Sequence, residues 1–515
     1  MMCSNAVGNC AIDEGEIMKN NIDSWQINTG LKILNDALIS TLEEKPDAKA
    51  LVHAEKVYSY YQLIFSADML AKQFNEIGIV EGDRIALDAP RSSELFIAIV
   101  ACLLSGISFI SVPRAIEKKQ KMKFAVQTNC VALFSLSSEF IELGAQSFGV
   151  GNVLMLPDTY PLREPHQLSG KEIYCVRTSG TTGEPKIVPI YVRQLQAFLD
   201  NILGEFAIPQ ERRWLWIHDL SFDLSIWETI GSLVHRGCLV VLEEEDKREP
   251  SLIWQVLERR EINQIMVTPS EFRYIFSENY ISDFTRLSLN EVLFCGEKLS
   301  VETLKPFFST FQSQKVKLVN TYGPSEATIF CSAHTVTEND LQAGSIPIGK
   351  PFPNMHFSLE SQENDGSGDL LLEGEQVFEG YDGRLLERNG YLTGDICRCD
   401  NQGEYHYIGR RGGFHKINGF RVDLLEVEEF LQSIPGVGEA VVWINETSEN
   451  PFLLCACINV MADVTLSTRD LRMACTQLAT WLRPARYLIV PQNEWPMNIR
   501  GKTDRAELKR RLYEK

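Results

Sequence analysis

The stretch RTSGTTGEPKIV, Arg177 to Val188, runs through Thr, Ser and Gly residues into Pro185 and Lys186. Such a run packs no core and has little reason to form a helix or a strand interior. Backbone N–H groups without Cβ interference can approach phosphate oxygens, hydroxyls add donors, and one Lys supplies a counter-charge. Alone, the run reads as a polar loop. It is not the GxxxxGK[ST] pattern, which needs its Lys directly after the second Gly. Further on, HDLSFDLSIWE (His218–Glu228) sets Asp223 in an otherwise apolar stretch. A carboxylate buried there without a partner costs several kcal/mol. The local solution is a helix N-cap, because an apolar helical pattern follows it. TPSEF at 268–272 and FCGEKLS at 294–300 each follow an apolar strand, and NTYGPSEAT (Asn320–Thr328) brings a Gly-Pro turn with a carboxylate. Turns at the C-terminal ends of parallel strands are where such sheets bind ligands. YLTGD (Tyr391–Asp395) supplies a turn carboxylate suited to the two hydroxyls of a ribose diol. Late in the chain, NIRGKTDR at 498–505 holds Lys502 between a Gly and an Asp-Arg pair.

The elements that must position these residues alternate. The strand RIALDAP follows the Gly82-Asp83 turn, Ser92 or Ser93 can cap a helix running through Leu104, and SFISV is the next strand. Apolar runs recur around Val131–Leu136, 153–156, 173–176, 214–217, 238–242 and 264–267. Strand–helix–strand order of this kind predicts parallel sheet covered on both faces. Asn28 to Leu42 predicts an amphipathic entry helix, and residues 1–24 a loosely ordered extension. The last stretch is shorter-ranged, with a helix from Leu424, the strands AVVWI and LLCACINV, and a helix from Thr468. The predicted fold class is therefore α/β: a large N-terminal domain of layered, mostly parallel sheets covered by helices, plus a small mobile α+β C-terminal domain.

At 515 residues the chain exceeds one ordinary domain, and 44% apolar content suffices for a large core and a smaller one. A formal charge of −19 argues against nucleic acid or an anionic membrane as the main partner. From Gly409 onward there are 15 Lys/Arg against 13 Asp/Glu, so the terminal stretch is +2 and the remainder −21. That change of sign predicts a second unit with its own surface. Thirteen scattered cysteines without CxxC pairs read as buried thiols in a reducing cytosol, and Cys397/Cys399 and Cys455/Cys457 are spaced to share strand faces. The first 22 residues contain acidic residues and no apolar core, unlike a signal peptide. Leu95 to Val112 is broken by Ser105, Gly106 and Ser108, so it predicts a buried helix running into a strand and no membrane span. The expected location is cytoplasmic.

Through Lys186 the glycine-rich loop resembles that of the adenylate-forming superfamily, [ST]SG[ST]TGxPKG, with Ile187 in place of the last Gly. The likeness extends over roughly residues 28–515, with the other motifs in the family's order. It implies that Thr178, Ser179, Gly180, Thr181, Thr182, Gly183 and Lys186 hold the β- and γ-phosphates of ATP. It further implies that Tyr322 stacks on adenine, that Gly296 and Asn320 join it, and that Asp395 and Arg410 take the ribose. Ser325 would reach the α-phosphate, Glu326 would hold Mg²⁺, and Lys502 would reach the α-phosphate and the substrate carboxylate. Asp223 matches the Asp of amino-acid-activating members, which pairs with the substrate's α-ammonium. By the same likeness the side-chain pocket is Leu224, Trp227, Met266, Leu293, Cys295, Thr321, Ile329 and Phe330. That set has no charge and considerable bulk, so a small or medium neutral amino acid is expected.

The likeness implies domains at 25–408 and 413–515 joined by a hinge at 409–412. Gly412, with Gly413 after it, stands where the family usually has Asp. Gly419, Phe420 and Arg421 would line a pantetheine tunnel. No GGxS-type carrier motif occurs in the sequence, so the acceptor thiol is expected on a separate phosphopantetheinyl carrier protein. FCGEKLS and NTYGPSEAT resemble stand-alone D-alanine–carrier-protein ligases, whereas HDLSFDLSIWE resembles nonribosomal peptide synthetase domains. Two other readings share the fold: an acyl- or aryl-CoA ligase, and a non-catalytic nucleotide-binding scaffold.

Overall fold

The computed structural model describes residues 27–114, 117–156, 171–178, 186–205, 211–276, 284–381, 385–386, 388–410, 414–417, 420–446, 451–461, 464–478, 482–498 and 502–513. The chain forms two compact units, one of residues 1–216 and 226–244, the other of residues 217–225 and 245–515.

In the first unit, Arg84–Asp88 lies central in a seven-stranded sheet, with Ser108–Ser111 and Ala132–Ser135 parallel on its two sides. Glu172–Thr178 pairs parallel with Ser108–Ser111, and the outer strands Asn152–Met155 and Lys186–Tyr191 run antiparallel. Mostly parallel strands therefore carry antiparallel edges, a common mixture in large sheets. Ser92 is the helix cap, its hydroxyl accepting the Leu95 N–H at 3.1 Å, and the helix spans Ser93–Ser105. Ser93 turns instead to His53, 3.1 Å from its Nδ1. The entry helix runs Lys32–Glu44 and buries Leu34, Leu38 and Leu42. A second set of strands, Arg213–Trp216, Cys238–Val241 and Lys49–His53, is parallel, closed by antiparallel Lys56–Ser59.

In the second unit, Gln264–Val267, Glu291–Phe294 and Lys317–Tyr322 are neighbouring parallel strands, with Met266 opposite Leu293 and Leu293 opposite Val319. Ser332–Thr335 then turns antiparallel. A four-stranded antiparallel sheet follows, made of Met355–Glu360, Ser367–Gly374, Tyr391–Cys399 and Tyr405–Arg410. Its place ahead of Gly409 was not among the sequence expectations. The terminal α+β stretch is as expected, with Leu424–Gln432, Val437–Glu446, Pro451–Val460 and Thr468–Ala474. Alternation splits its core cleanly. Ala456 and Ile458 face Val427 and Leu431, while Cys455 and Cys457 face Leu508 and Leu512. Among the described residues every cysteine is free and all but Cys399 are buried.

One buried ion pair ties the first sheet together. Arg84 Nε and Nη2 each donate to Glu172 at 2.7 Å, Arg84 Nη1 donates to the Thr128 carbonyl at 2.6 Å, and the Ser108 hydroxyl donates to Glu172 at 2.6 Å. Both side chains are almost wholly buried. Removing one partner leaves a desolvated charge, at a cost of about 3–5 kcal/mol. Glu172→Ala is therefore expected to lower stability by roughly that amount, read as an earlier urea transition. Unchanged unfolding would show that water reaches Arg84.

Candidate active site

The second unit brings together several of the residues singled out in the sequence, from four distant stretches. Asp223 immediately precedes the helix Leu224–Val234, so it does stand at the cap position. It also does more than cap. Burial pushes its carboxyl up to about 6, and the Glu326 charge adds to this; the Ser325 hydroxyl, the Lys502 ammonium and the Leu224 N–H pull it down. Asp223, Ser325, Glu326 and Lys502 therefore share one electrostatic environment. Lys502 donates to the Gly296 carbonyl at 2.8 Å, and its Nζ lies 5.5 Å from the Phe222 ring centroid. The Lys502 backbone is held by Asn498, whose Oδ1 accepts the Lys502 N–H at 3.1 Å, and the next residue is held by Trp495, whose Nε1 donates to Thr503 Oγ1 at 3.1 Å.

NTYGPSEAT folds as an extended strand through Tyr322, then a short 3-10 turn at Ser325–Ala327. Thr328 and Ile329 follow at φ 58° and 71°, a left-handed backbone that β-branched residues rarely adopt. The surroundings enforce it. Gln376, wholly buried, donates through Nε2 to the Ala327 carbonyl at 3.1 Å and the Phe330 carbonyl at 2.9 Å. The Thr328 hydroxyl returns a bond to the Gln376 carbonyl at 2.7 Å. At Gly323 a Cβ would come within 2.4 Å of Phe330 Cα, so only glycine lets the two backbone runs pass. Glu326 is buried, and Tyr381 donates to its Oε1 at 2.5 Å.

The remaining predicted residues fall as follows. The Tyr322 hydroxyl donates to Asp395 Oδ2 at 2.7 Å, and Asp395 lies opposite Arg410 across two antiparallel strands. Asn320 spends its amide on the Pro347 carbonyl, 2.7 Å away, and Thr321 its hydroxyl on the Phe294 carbonyl, 2.8 Å away. Met266, Leu293, Cys295, Ile329 and Phe330 are buried. Burial pushes the Cys295 thiol up to about 11, so it is no nucleophile at neutral pH. Leu224 is buried as the first residue of its helix. Trp227 belongs to the first unit, buried edge-on to Trp214 at 5.0 Å and Phe198 at 5.7 Å. In the same unit, strand register sets Thr178 opposite Lys186, at the two ends of the phosphate-loop motif. Ser179, Gly180, Thr181, Thr182, Gly183, Gly412 and Gly419 lie outside the described residues, while Phe420 and Arg421 are described only as part of the strand Phe420–Asp423.

Sequence reasoning missed Tyr381 and Gln376, which act on Glu326 and on the strained turn. Neither carried a local signal, because Gln376 stands among Glu373, Glu375 and Glu379, where one more polar residue reads as surface. Glu326 has no ion pair among the described residues, and no group of three or more His, Cys, Asp or Glu gathers there. One buried carboxylate beside a hydroxyl suits a hard cation completed by other oxygens, such as Mg²⁺, and not an all-protein cage.

The chain belongs to the AMP-binding enzyme family, whose profile matches residues 39–382. It is thus an enzyme of a family whose relatives are named synthases, synthetases and ligases. Syringomycin synthase SyrB1 of Pseudomonas syringae pv. syringae is 27% identical over 92% of this chain and 81% of its own. The D-alanine–D-alanyl carrier protein ligase of Bacillus licheniformis is 27% identical over 92% of this chain and 99% of its own. Among solved structures, O-succinylbenzoate coenzyme A synthetase (MenE) of Bacillus subtilis in complex with AMP has a TM-score of 0.74 at 19% identity, covering 92% of this chain and 98% of its own. The same MenE in complex with ATP and magnesium ion has a TM-score of 0.72, covering 92% and 99%. These structures establish the shared fold.

The raised Asp223 carboxyl has a consequence for stability. The folded protein holds this proton more tightly than the unfolded chain, whose Asp titrates near about 4, so stability falls as pH rises from about 4 to 6. Asp223→Asn is expected to melt at a higher temperature than the natural sequence above about pH 6, the gain vanishing below about pH 4. Thermal melts across that range check it; a variant that melts lower at neutral pH contradicts it.

Proposed function

We propose that this enzyme uses ATP to activate a small or medium neutral amino acid as its aminoacyl-AMP. The acyl group then passes to the phosphopantetheine thiol of a separate carrier protein. The observation that carries the substrate class is Asp223, a carboxylate that burial and the Glu326 charge disfavour and that the Lys502 ammonium offsets only in part, so that a further cation is favoured there. An α-ammonium is such a cation, and a simple carboxylic acid brings none. The relative named as a D-alanine–D-alanyl carrier protein ligase supports both the amine and the carrier.

A carboxylate is a poor acyl donor because its leaving group would be oxide. In the proposed reaction a substrate carboxylate oxygen attacks the α-phosphorus, the bond to the bridging oxygen breaks, and pyrophosphate leaves. Lys502 approaches the site through Gly296 and Phe222, where its charge can offset what accumulates on the α-phosphate oxygens. Ser325 would donate to the same phosphate. Glu326 would hold Mg²⁺, which when bound supplies charge neutralisation for the phosphates. Tyr322 and Asp395 would seat the adenosine, with Arg410 opposite. Thr178 and Lys186 would flank the phosphate-gripping loop. In the second step the carrier thiolate attacks the acyl carbon and AMP departs. We place the terminal residues 413–515 as a lid that turns about Gly412 between the two steps, with Gly419, Phe420 and Arg421 along the path of the pantetheine. No helix among the described residues is long and apolar enough to cross a membrane, and free buried thiols suit a cytoplasmic setting.

The rival reading, an acyl- or aryl-CoA ligase, is kept by the structural likeness to MenE. ATP–pyrophosphate exchange over a panel of amino acids and amine-free acids separates the two. The expected result is exchange with a few neutral amino acids, abolished by Asp223→Ala. Lys502→Ala is expected to cut exchange by about 10²–10³-fold while sparing thioester formation from preformed adenylate. Exchange with amine-free acids, unaltered by Asp223→Ala, favours the CoA ligase; exchange with none of the compounds favours a scaffold.

A further inference from the structure

Phe222, the residue before Asp223, stacks on a member of a buried polar cluster that the functional reading leaves unused. His218 and Glu271 are both buried, with His218 Nε2 3.0 Å from Glu271 Oε2. Lys247 Nζ donates to Glu271 Oε1 at 3.2 Å and to the Ile217 carbonyl at 3.0 Å. Glu271 Oε2 also accepts the Thr268 N–H at 3.0 Å, so both carboxylate oxygens are fixed. Against this anchored imidazole the Phe222 ring lies flat, centroids 5.8 Å apart and planes 8° from parallel. Asp219 fixes the backbone beneath, accepting the Ser221 N–H at its carboxylate and the Phe222 N–H at its carbonyl, both at 2.9 Å. Lys502 Nζ meets the same Phe222 ring.

A lysine side chain has four rotatable bonds and a point charge, and nothing in its own chemistry dictates where that charge stops. An aromatic face attracts an ammonium, but only a ring of fixed orientation defines a position for it. From this chain of contacts we infer that His218, locked by Glu271 and Lys247, is a positioning residue that holds Phe222 as the platform for the Lys502 ammonium. The inference rests on the assignment of Lys502 to adenylation. It adds residues that touch no substrate, on the stretch between the strand ending at Trp216 and the helix beginning at Leu224.

A double-mutant cycle in the full-length enzyme tests it. His218→Ala is expected to lower pyrophosphate exchange by about 10-fold, in kcat and not in the KM for ATP or amino acid, because small displacements of a reacting group cost rate. In a Lys502→Ala background the same change is expected to have no further effect, because the group it positions is gone. Thioester formation from preformed adenylate stays unchanged. Phe222→Leu, which keeps bulk and removes the ring, goes through the same cycle and decides the matter if His218→Ala does not fold. Equal losses with and without Lys502, or equal losses in both half-reactions, would overturn the inference alone. Wild-type exchange by Lys502→Ala would overturn the functional reading and this inference with it.

Discussion

The Asp223 and Glu326 carboxylates lie close together with the partly exposed Lys502 ammonium nearby, and this uneven balance of charge is the constraint around which the site is built. Asp223 and Glu326 repel one another, Lys502 offsets part of the repulsion, and burial leaves Asp223 reluctant to ionise. Charges assembled this way cost stability in the empty protein. In the proposed reaction a ligand ammonium at Asp223 and a metal at Glu326 would relieve that cost, exchanging free energy of folding for affinity and selectivity.

The scaffold keeps the groups from relaxing away from each other. The Glu326 turn is trapped between a glycine that admits the neighbouring backbone and a strained pair, Thr328 and Ile329, clamped by Gln376. Tyr381 fixes one oxygen of Glu326. Asp223 is set by the helix it precedes, and Lys502 by the bond from its N–H to Asn498 and by the anchoring of its neighbour Thr503 on Trp495. Each device acts on backbone or on the last bond of a side chain, where small errors matter most.

The residues brought together here stood out in the sequence because carboxylates and a lysine set beside Gly and Pro at turns are not explained by core packing. The parallel strands, the Ser92 cap, the terminal α+β stretch and the buried thiols follow from period and punctuation alone. The antiparallel sheet of Met355–Arg410 did not, since its strands sit among Gly, Asn and Asp residues that read as loop. Gln376, Tyr381, His218 and Glu271 were illegible for a different reason. Their partners lie tens of residues away, and no local pattern announces which buried polar group meets which. Asp223 stands at the expected cap position ahead of its helix and also lies beside Ser325 and Glu326.

The central claim is that burial, reinforced by the neighbouring Glu326 charge, makes Asp223 a receptor for a cation. Carboxyl-labelled aspartate followed by NMR through a pH titration of the ligand-free enzyme measures it directly. The account predicts an Asp223 midpoint near about 6, moving down in Glu326→Gln and up in Lys502→Ala. A midpoint at the ordinary aspartate value, near about 4 and indifferent to both substitutions, would contradict it.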